Sequence, residues 1–230
     1  MASPNTLADQ AVASPQPPRA GRSVHAIILF LGVCLFALAA DLLSKHYAFE
    51  HVAGQPVRYA GDGTGRSCWN MPWRGSPLVI VVPKVLGLQL VVNHGAVFGM
   101  FQGQRWFFML ASILAVLVIG RMFWRSPARA PALHVGLALI LAGALGNLYD
   151  RVRFASVRDM CHLFPGVNLP FGWSWTAETH EVYPWVFNVA DVALLGGVVT
   201  LAVLMWRSGR SQTGGASSGG GGSKPPQSAR

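Results

Sequence analysis

Two aspartates in this chain each stand three residues after an asparagine. Asn147 precedes Asp150 in Gly146-Asn-Leu-Tyr-Asp150, and Asn188 precedes Asp191 in Phe187-Asn-Val-Ala-Asp191. On a helix, positions i and i+3 share a face, so each carboxylate has an amide neighbour able to orient it. Two carboxyls brought together in a low-dielectric site cannot both ionise cheaply, and they hold one proton between them near neutral pH. Such a pair can hydrolyse an amide: one member draws a proton from a water held between them while the other donates to the scissile carbonyl oxygen. The sequence offers no Gly-x-Ser-x-Gly, His-Glu-x-x-His or phosphate-cradling glycine loop as a competing chemistry. A metal between the aspartates would lack a third acidic or histidine ligand, so neither metal nor other cofactor is expected. A blander account fits Asp191, because a carboxylate near a helix N-terminus is favoured by the dipole; Asp150, near a C-terminus, has no such excuse.

The elements that must position these residues are membrane spans. Of 230 residues, 52% are hydrophobic and only 12% charged, with a mean hydropathy of +0.39. Soluble domains carry about twice that charged fraction. Four stretches, at about 26–43, 106–120, 133–149 and 186–206, are apolar enough to cross a bilayer. The expected fold is an all-α membrane protein, a four-transmembrane-helix bundle with a small, partly β extracytoplasmic subdomain. The β part is assigned to the loop 44–105, where SPLVIVVPKVLGLQLVV is β-branched and interrupted by Pro83. A second loop covers 150–185. The ends, 1–24 and 208–230, are rich in Ala, Ser, Pro and Gly and are read as disordered tails. A cleavable-signal reading of the first span is opposed by Asp41 and Lys45, which follow at once, and by three later spans that need a helix to pack against.

The net charge of +9 comes from arginines beside apolar runs. Membrane lipids, not nucleic acid, are the partners this implies. The Arg121, Arg125 and Arg129 loop favours cytoplasmic termini, although basic residues divide equally between the two sides. Connectivity speaks independently of orientation. Alternating spans bring Asp41, the segment from Asn93 to Gly99, Asn147 with Asp150, and Asn188 with Asp191 to one membrane face. Ionisable residues there read as functional. Cys34, Cys68 and Cys161 form no disulfide framework; a Cys68 to Cys161 bridge is compatible with an oxidising compartment but required by nothing.

Four motifs in order, Asp41-Leu-Leu-Ser-Lys45, Asn93-His-Gly-Ala-Val-Phe-Gly99, Gly143-Ala-Leu-Gly-Asn-Leu-Tyr-Asp-Arg151 and Phe187-Asn-Val-Ala-Asp191, give the chain its resemblance to a family. It resembles the lipoprotein signal peptidases, or signal peptidase II family, which are four-helix membrane aspartyl endopeptidases of the bacterial inner membrane. The resemblance implies Asp150 and Asp191 as the catalytic dyad. Asp41, Asn93, Gly95, Asn147, Arg151 and Asn188 would line or support the site, and Lys45 would stabilise the top of the first helix. It also implies diacylglyceryl-modified prolipoproteins as substrates, cleaved before the lipidated cysteine, by a monomer whose site lies near the extracytoplasmic face. Ala142 stands where the family often has a second glycine, and Met160 to Trp185 forms a longer insertion than usual. Two other classes use paired carboxylates between helices: a proton-coupled carrier, and an assembly protein in which the cluster only glues helices. Carriers place such charges near the midplane, and no internal repeat is visible here.

Overall fold

The computed structural model describes residues 18–60, 69–70, 76–95, 105–175 and 179–216, with only the backbone at 105 and 211–216. Its four long helices are α1 (Val24–His51), α2 (Arg105–Arg125), α3 (Pro131–Phe154) and α4 (Val189–Ala216), all long and apolar enough to span a membrane. α1 starts where the Ser23 hydroxyl accepts the Ala26 N–H at 3.4 Å, satisfying a free donor of the first turn. Pro131 opens α3, where its missing N–H costs nothing. Ala155, at φ 57°, ends it in the left-handed conformation.

The first three helices overrun the expected spans at both ends, because hydropathy marks only the window that must be apolar. The fourth begins later than expected. Val186 and Phe187 form a strand, and the helix waits for its cap at Asn188. Residues 18–23, expected within a disordered tail, instead pack on the loop after α2: Ala20 is fully buried and its N–H donates to the Ser126 carbonyl at 2.8 Å. α4 likewise runs on to Ala216, inside the expected C-terminal tail.

A small antiparallel sheet caps the bundle in the order β1 (Val79–Val82), β2 (Leu86–Asn93), β3 (Val157–Leu163), β4 (Val186–Phe187). The first two strands are the hairpin that the β-branched run and Pro83 predict. β3 and β4 come from the second loop, for which no strand was expected. The resulting sheet ties the two long connections together: Asn93 lies opposite Val157, and Val91 opposite Asp159.

α3 is the hub of the bundle and packs on all three other helices. Half of its apolar window is buried, against 11–22% for the other three. The remaining helices therefore turn apolar faces outward, as Phe36, Leu114 and Leu195 show. Phe30 and Phe123 stack at 4.0 Å in the core beside Leu137 and Ala142. Close approach of α3 and α4 depends on missing side chains. A Cβ on Gly143 would strike the Ala190 carbonyl oxygen, and one on Gly146 would strike the Asp41 carboxylate and come within 3.3 Å of Ala190 Cβ. Gly32, in contrast, faces open space.

Gly143→Ala is therefore expected to lower the unfolding midpoint in detergent and to reduce folded yield, while Gly32→Ala does neither. Equal behaviour of the two variants in a thermal unfolding assay would contradict this account of the α3–α4 contact.

Candidate active site

The polar residues of the bundle collect at one end, where α1 and α3 finish, α4 begins and β3 crosses above them. The collection has two connected halves.

The first half is ionic. Lys45, with no exposed surface, reaches Asp41 Oδ2 at 2.7 Å, Asp150 Oδ2 at 3.2 Å and Asn147 Oδ1 at 3.2 Å. Asp150, equally buried, takes three donors from Arg158: the backbone N–H at 3.0 Å to Oδ2, and Nε at 3.1 Å and a terminal nitrogen at 2.8 Å to Oδ1. Both guanidinium bonds converge on one oxygen while the backbone N–H takes the other, and each is a charge-assisted hydrogen bond. Asp41 Oδ1 accepts the Ala190 N–H at 2.8 Å, so α1 caps the first turn of α4.

The second half holds two carboxylates that share Asn188, Asp159 on β3 and Asp191 in the first turn of α4. Asn188 and Asp191 form a reciprocal cap: the Asn188 side chain accepts the Asp191 N–H at 3.0 Å, and Asp191 Oδ2 accepts the Asn188 N–H at 3.2 Å. Asp191 Oδ1 accepts from Asn147 Nδ2 at 2.9 Å. Asn188 Nδ2 also donates to Asp159 Oδ1 at 2.6 Å, and Asn93 Nδ2 donates to Asp159 Oδ2 at 3.2 Å. Burial, followed by the neighbouring charge of Asp191, pushes the Asp159 carboxyl up to about 8, against the opposing pull of the Asn188 and Asn93 amides and Lys45. The same two carboxylates, after burial, also raise the Cys161 thiol.

The charges of the whole cluster balance only with a proton added. Lys45, Arg151 and Arg158 face Asp41, Asp150, Asp159 and Asp191. Three cations and four carboxylates become neutral when one carboxyl is protonated, and Asp159 is the one placed to hold that proton.

The expected pairing of Asp150 with Asp191 is not what the structure builds. Both oxygens of Asp150 are engaged by cations, and the carboxylate that Asp191 acts on is Asp159. The Asn147–Asp150 pair fails in the same way. Asn147 turns toward Asp191 and Lys45, whereas Asn188 and Asp191 do share a helix face as expected. The other predicted residues gather at the site. Arg151 donates to the Gly95 carbonyl at 3.3 Å and to the Asn147 carbonyl at 3.3 Å. The Gly95 N–H is held by Asn93 Oδ1 at 2.9 Å. Gly99 and Cys68, and with the latter the Cys68 to Cys161 bridge, lie outside the described residues. Sequence reasoning missed Asp159 and Arg158. The available signal was an acid alternating with Val157 and Cys161, but it became legible only once that segment was known to be a strand.

A four-span bundle whose buried carboxylates meet at the helix ends defines a membrane protein with a polar cluster at one end of its spans. A family profile described as Signal peptidase (SPase) II matches residues 33–207. A lipoprotein signal peptidase of Latilactobacillus sakei is 41% identical over 123 residues, 54% of this chain and 71% of that protein. One of Streptococcus pyogenes serotype M5 is 31% identical over 183 residues, 78% of this chain and 93% of its own. Among solved structures, a bacterial membrane enzyme determined by the in meso method shares the fold, with a TM-score of 0.55 at 21% identity over 88% of this chain and 94% of that one. The chain belongs to the signal peptidase II family and is a membrane peptidase.

Asp150→Asn is expected to act first on stability. Removing one partner of a buried ion pair typically costs about 3–5 kcal/mol. The variant should unfold at a markedly lower temperature in detergent, and an unchanged midpoint would count against a structural role for Asp150.

Proposed function

We propose that the chain is an aspartic endopeptidase in which Asp159 and Asp191 form the dyad. The observation that supports this reading is the pair itself: two carboxyls from different elements share Asn188, and burial, followed by the charge of Asp191, raises Asp159 to about 8. In the resting pair one carboxyl is protonated and the other ionised. The ionised carboxylate removes a proton from a bound water as the water oxygen attacks the scissile carbonyl carbon. The protonated carboxyl gives its proton to the carbonyl oxygen, producing a gem-diol. Collapse of the diol breaks the C–N bond and sends a proton to the departing nitrogen, and the pair again holds one proton.

The remaining site residues position this pair. Asn188 contacts both carboxylates, Asn93 and Asn147 hold one each, and Arg151 fixes the Gly95 segment over the helix ends. The ionic half keeps Asn147 oriented through Lys45 and clamps β3 to α3 through Arg158. Asp150 and Lys45 thus serve the dyad without belonging to it.

The relatives are named lipoprotein signal peptidases, and the resemblance carried by the four motifs implies the substrate class: prolipoproteins, cleaved before a diacylglyceryl cysteine. A site at the end of the spans suits such a substrate, because the diacylglyceryl chains remain in hydrocarbon while the peptide bond reaches a polar pocket. The reading places the chain in a bacterial inner membrane with cytoplasmic termini, the dyad toward the extracytoplasmic side, and a single chain sufficient for activity.

Cleavage of a diacylglyceryl prolipoprotein peptide in micelles is expected to fall by at least about a thousandfold in Asp159→Asn and Asp191→Asn with folding intact, an effect of the size seen when acid–base groups are removed. Full activity in Asp159→Asn would overturn this assignment of the dyad. Activity is also expected to decline as pH rises through about 8, because Asp159 then loses the proton it must donate. The same group makes the fold progressively less stable as pH rises from 3.8 to about 8, because over that interval the native state still holds the proton that the unfolded chain has released.

A further inference from the structure

On the far side of Arg158 from the lysine cluster is a cavity of about 210 Å³, formed between the last turns of α1 and α3, the start of β3 and the segment after α1. Phe49, Tyr59, Trp69 and Phe154 make its aromatic walls, and Arg58, Arg153 and Arg158 bring three guanidinium groups to it. Among the described residues its one acidic lining residue is Glu50, which pairs with Arg58 at 2.7 Å. Arg158 is held by Asp150 behind the wall. Among the described residues no carboxylate forms an ion pair with Arg153. Its guanidinium lies instead 5.4 Å from the centre of the Phe154 ring, whose centre Arg158 approaches to 4.4 Å. Two like charges gathered on one ring, beside a hollow with aromatic walls, leave an excess of positive charge directed at the cavity.

The depth of the cavity indicates what could balance that charge. The apolar run of α1 ends near Leu43, and His46, Phe49 and Glu50 follow within two turns. At 1.5 Å per residue they lie about 5–10 Å beyond the hydrocarbon edge. This is the level of lipid headgroups. Guanidinium groups bind phosphate oxygens in pairs, and the apolar walls strengthen the attraction by excluding water.

The geometry points to a phosphate-binding site in this cavity, with Arg153 as the cation that no described carboxylate neutralises and Arg58 and Arg158 beside it, and with the phosphodiester of an anionic phospholipid as the source favoured by its depth. The site is separate from the carboxylate pair. It stands or falls independently of the peptidase reading, because its test does not depend on cleavage.

The test follows thermal unfolding of the full chain in detergent during titration with short-chain phosphatidylglycerol, short-chain phosphatidylcholine or inorganic phosphate. Wild type is compared with Arg153→Gln, Arg153→Glu and Arg58→Gln. Arg153 is exposed, so its variants should keep the lipid-free midpoint. Phosphatidylglycerol is expected to raise the wild-type midpoint saturably, with phosphatidylcholine weaker. Arg153→Gln should need at least tenfold more phosphatidylglycerol, and Arg153→Glu should show no response. Competition by inorganic phosphate would support a shared phosphate site. Stabilisation by inorganic phosphate without any lipid response would support the site and make free phosphate its source. Identical curves for wild type and all three variants, or no saturable response to either phosphatidylglycerol or phosphate, would overturn the proposal.

Discussion

A lysine with no exposed surface must find all its counter-charge within the fold, and the arrangement of this bundle follows from how Lys45 does so. Its ammonium meets Asp41 from its own helix and Asp150 and Asn147 from α3. Asp41 continues to the N-terminus of α4, and Asp150 continues to Arg158 at the start of β3. Four elements are thereby fixed by charged contacts around one nitrogen. Buried ion pairs are weak evidence for stability in themselves, because desolvation offsets much of their attraction. Their contribution here is specificity. A rotated or slipped α3 would leave a charge without a partner at the membrane boundary, where the cost is several kcal/mol, so register is enforced even though the lipid-facing apolar surfaces enforce almost none.

The asparagines connect this frame to the carboxylate pair. Each has a carbonyl and an amide to offer, and each is used at both ends. Asn147 accepts from Lys45 and donates to Asp191; Asn188 accepts the Asp191 N–H and donates to Asp159. An aspartate at these positions would add a fifth carboxylate and upset the balance with three cations, while a leucine would leave several donors and acceptors unpaired. The reciprocal cap of α4 also shows how a local rule can be put to wider use. The Asn188–Asp191 cap would be sufficient explanation for both residues in a soluble helix. Here the second oxygen of Asp191 and the second donor of Asn188 remain available for the site.

What could be read from the sequence divides along the same line. The spans follow from apolar length, and the β1–β2 hairpin from β-branched residues around Pro83, because lipid and local backbone preference act on contiguous residues. The convergence of Asp41, Asn93, Asn147, Asp150, Asn188 and Asp191 at one face follows from alternation of the spans alone. The identity of the coupled pair does not. Asp150 occupies the more conspicuous position, on a membrane helix and next to Arg151, and helical spacing assigned it Asn147. Its actual partner is Arg158, eight residues on and across a left-handed turn at Ala155. No periodicity argument reaches across such a turn.

Asp159 was obscured for a related reason. In a loop, an aspartate after an arginine is an ordinary solvated residue. In β3 the same aspartate is carried under the asparagines, with 2% of its surface exposed. The strand exists because β2, from a segment some 70 residues earlier, provides its hydrogen-bonding edge. Asp159 is therefore placed by a long-range strand pairing, whereas Asp191 is placed by a helix cap four residues long. This asymmetry has a physical use. A carboxylate anchored in a helix turn is held rigidly by local bonds, and one carried on a strand can be set against it at whatever distance the sheet register dictates. Arg158 completes the arrangement. By gripping Asp150 through its side chain and backbone at once, it fixes the height of Asp159, its immediate neighbour, above the ends of the spans.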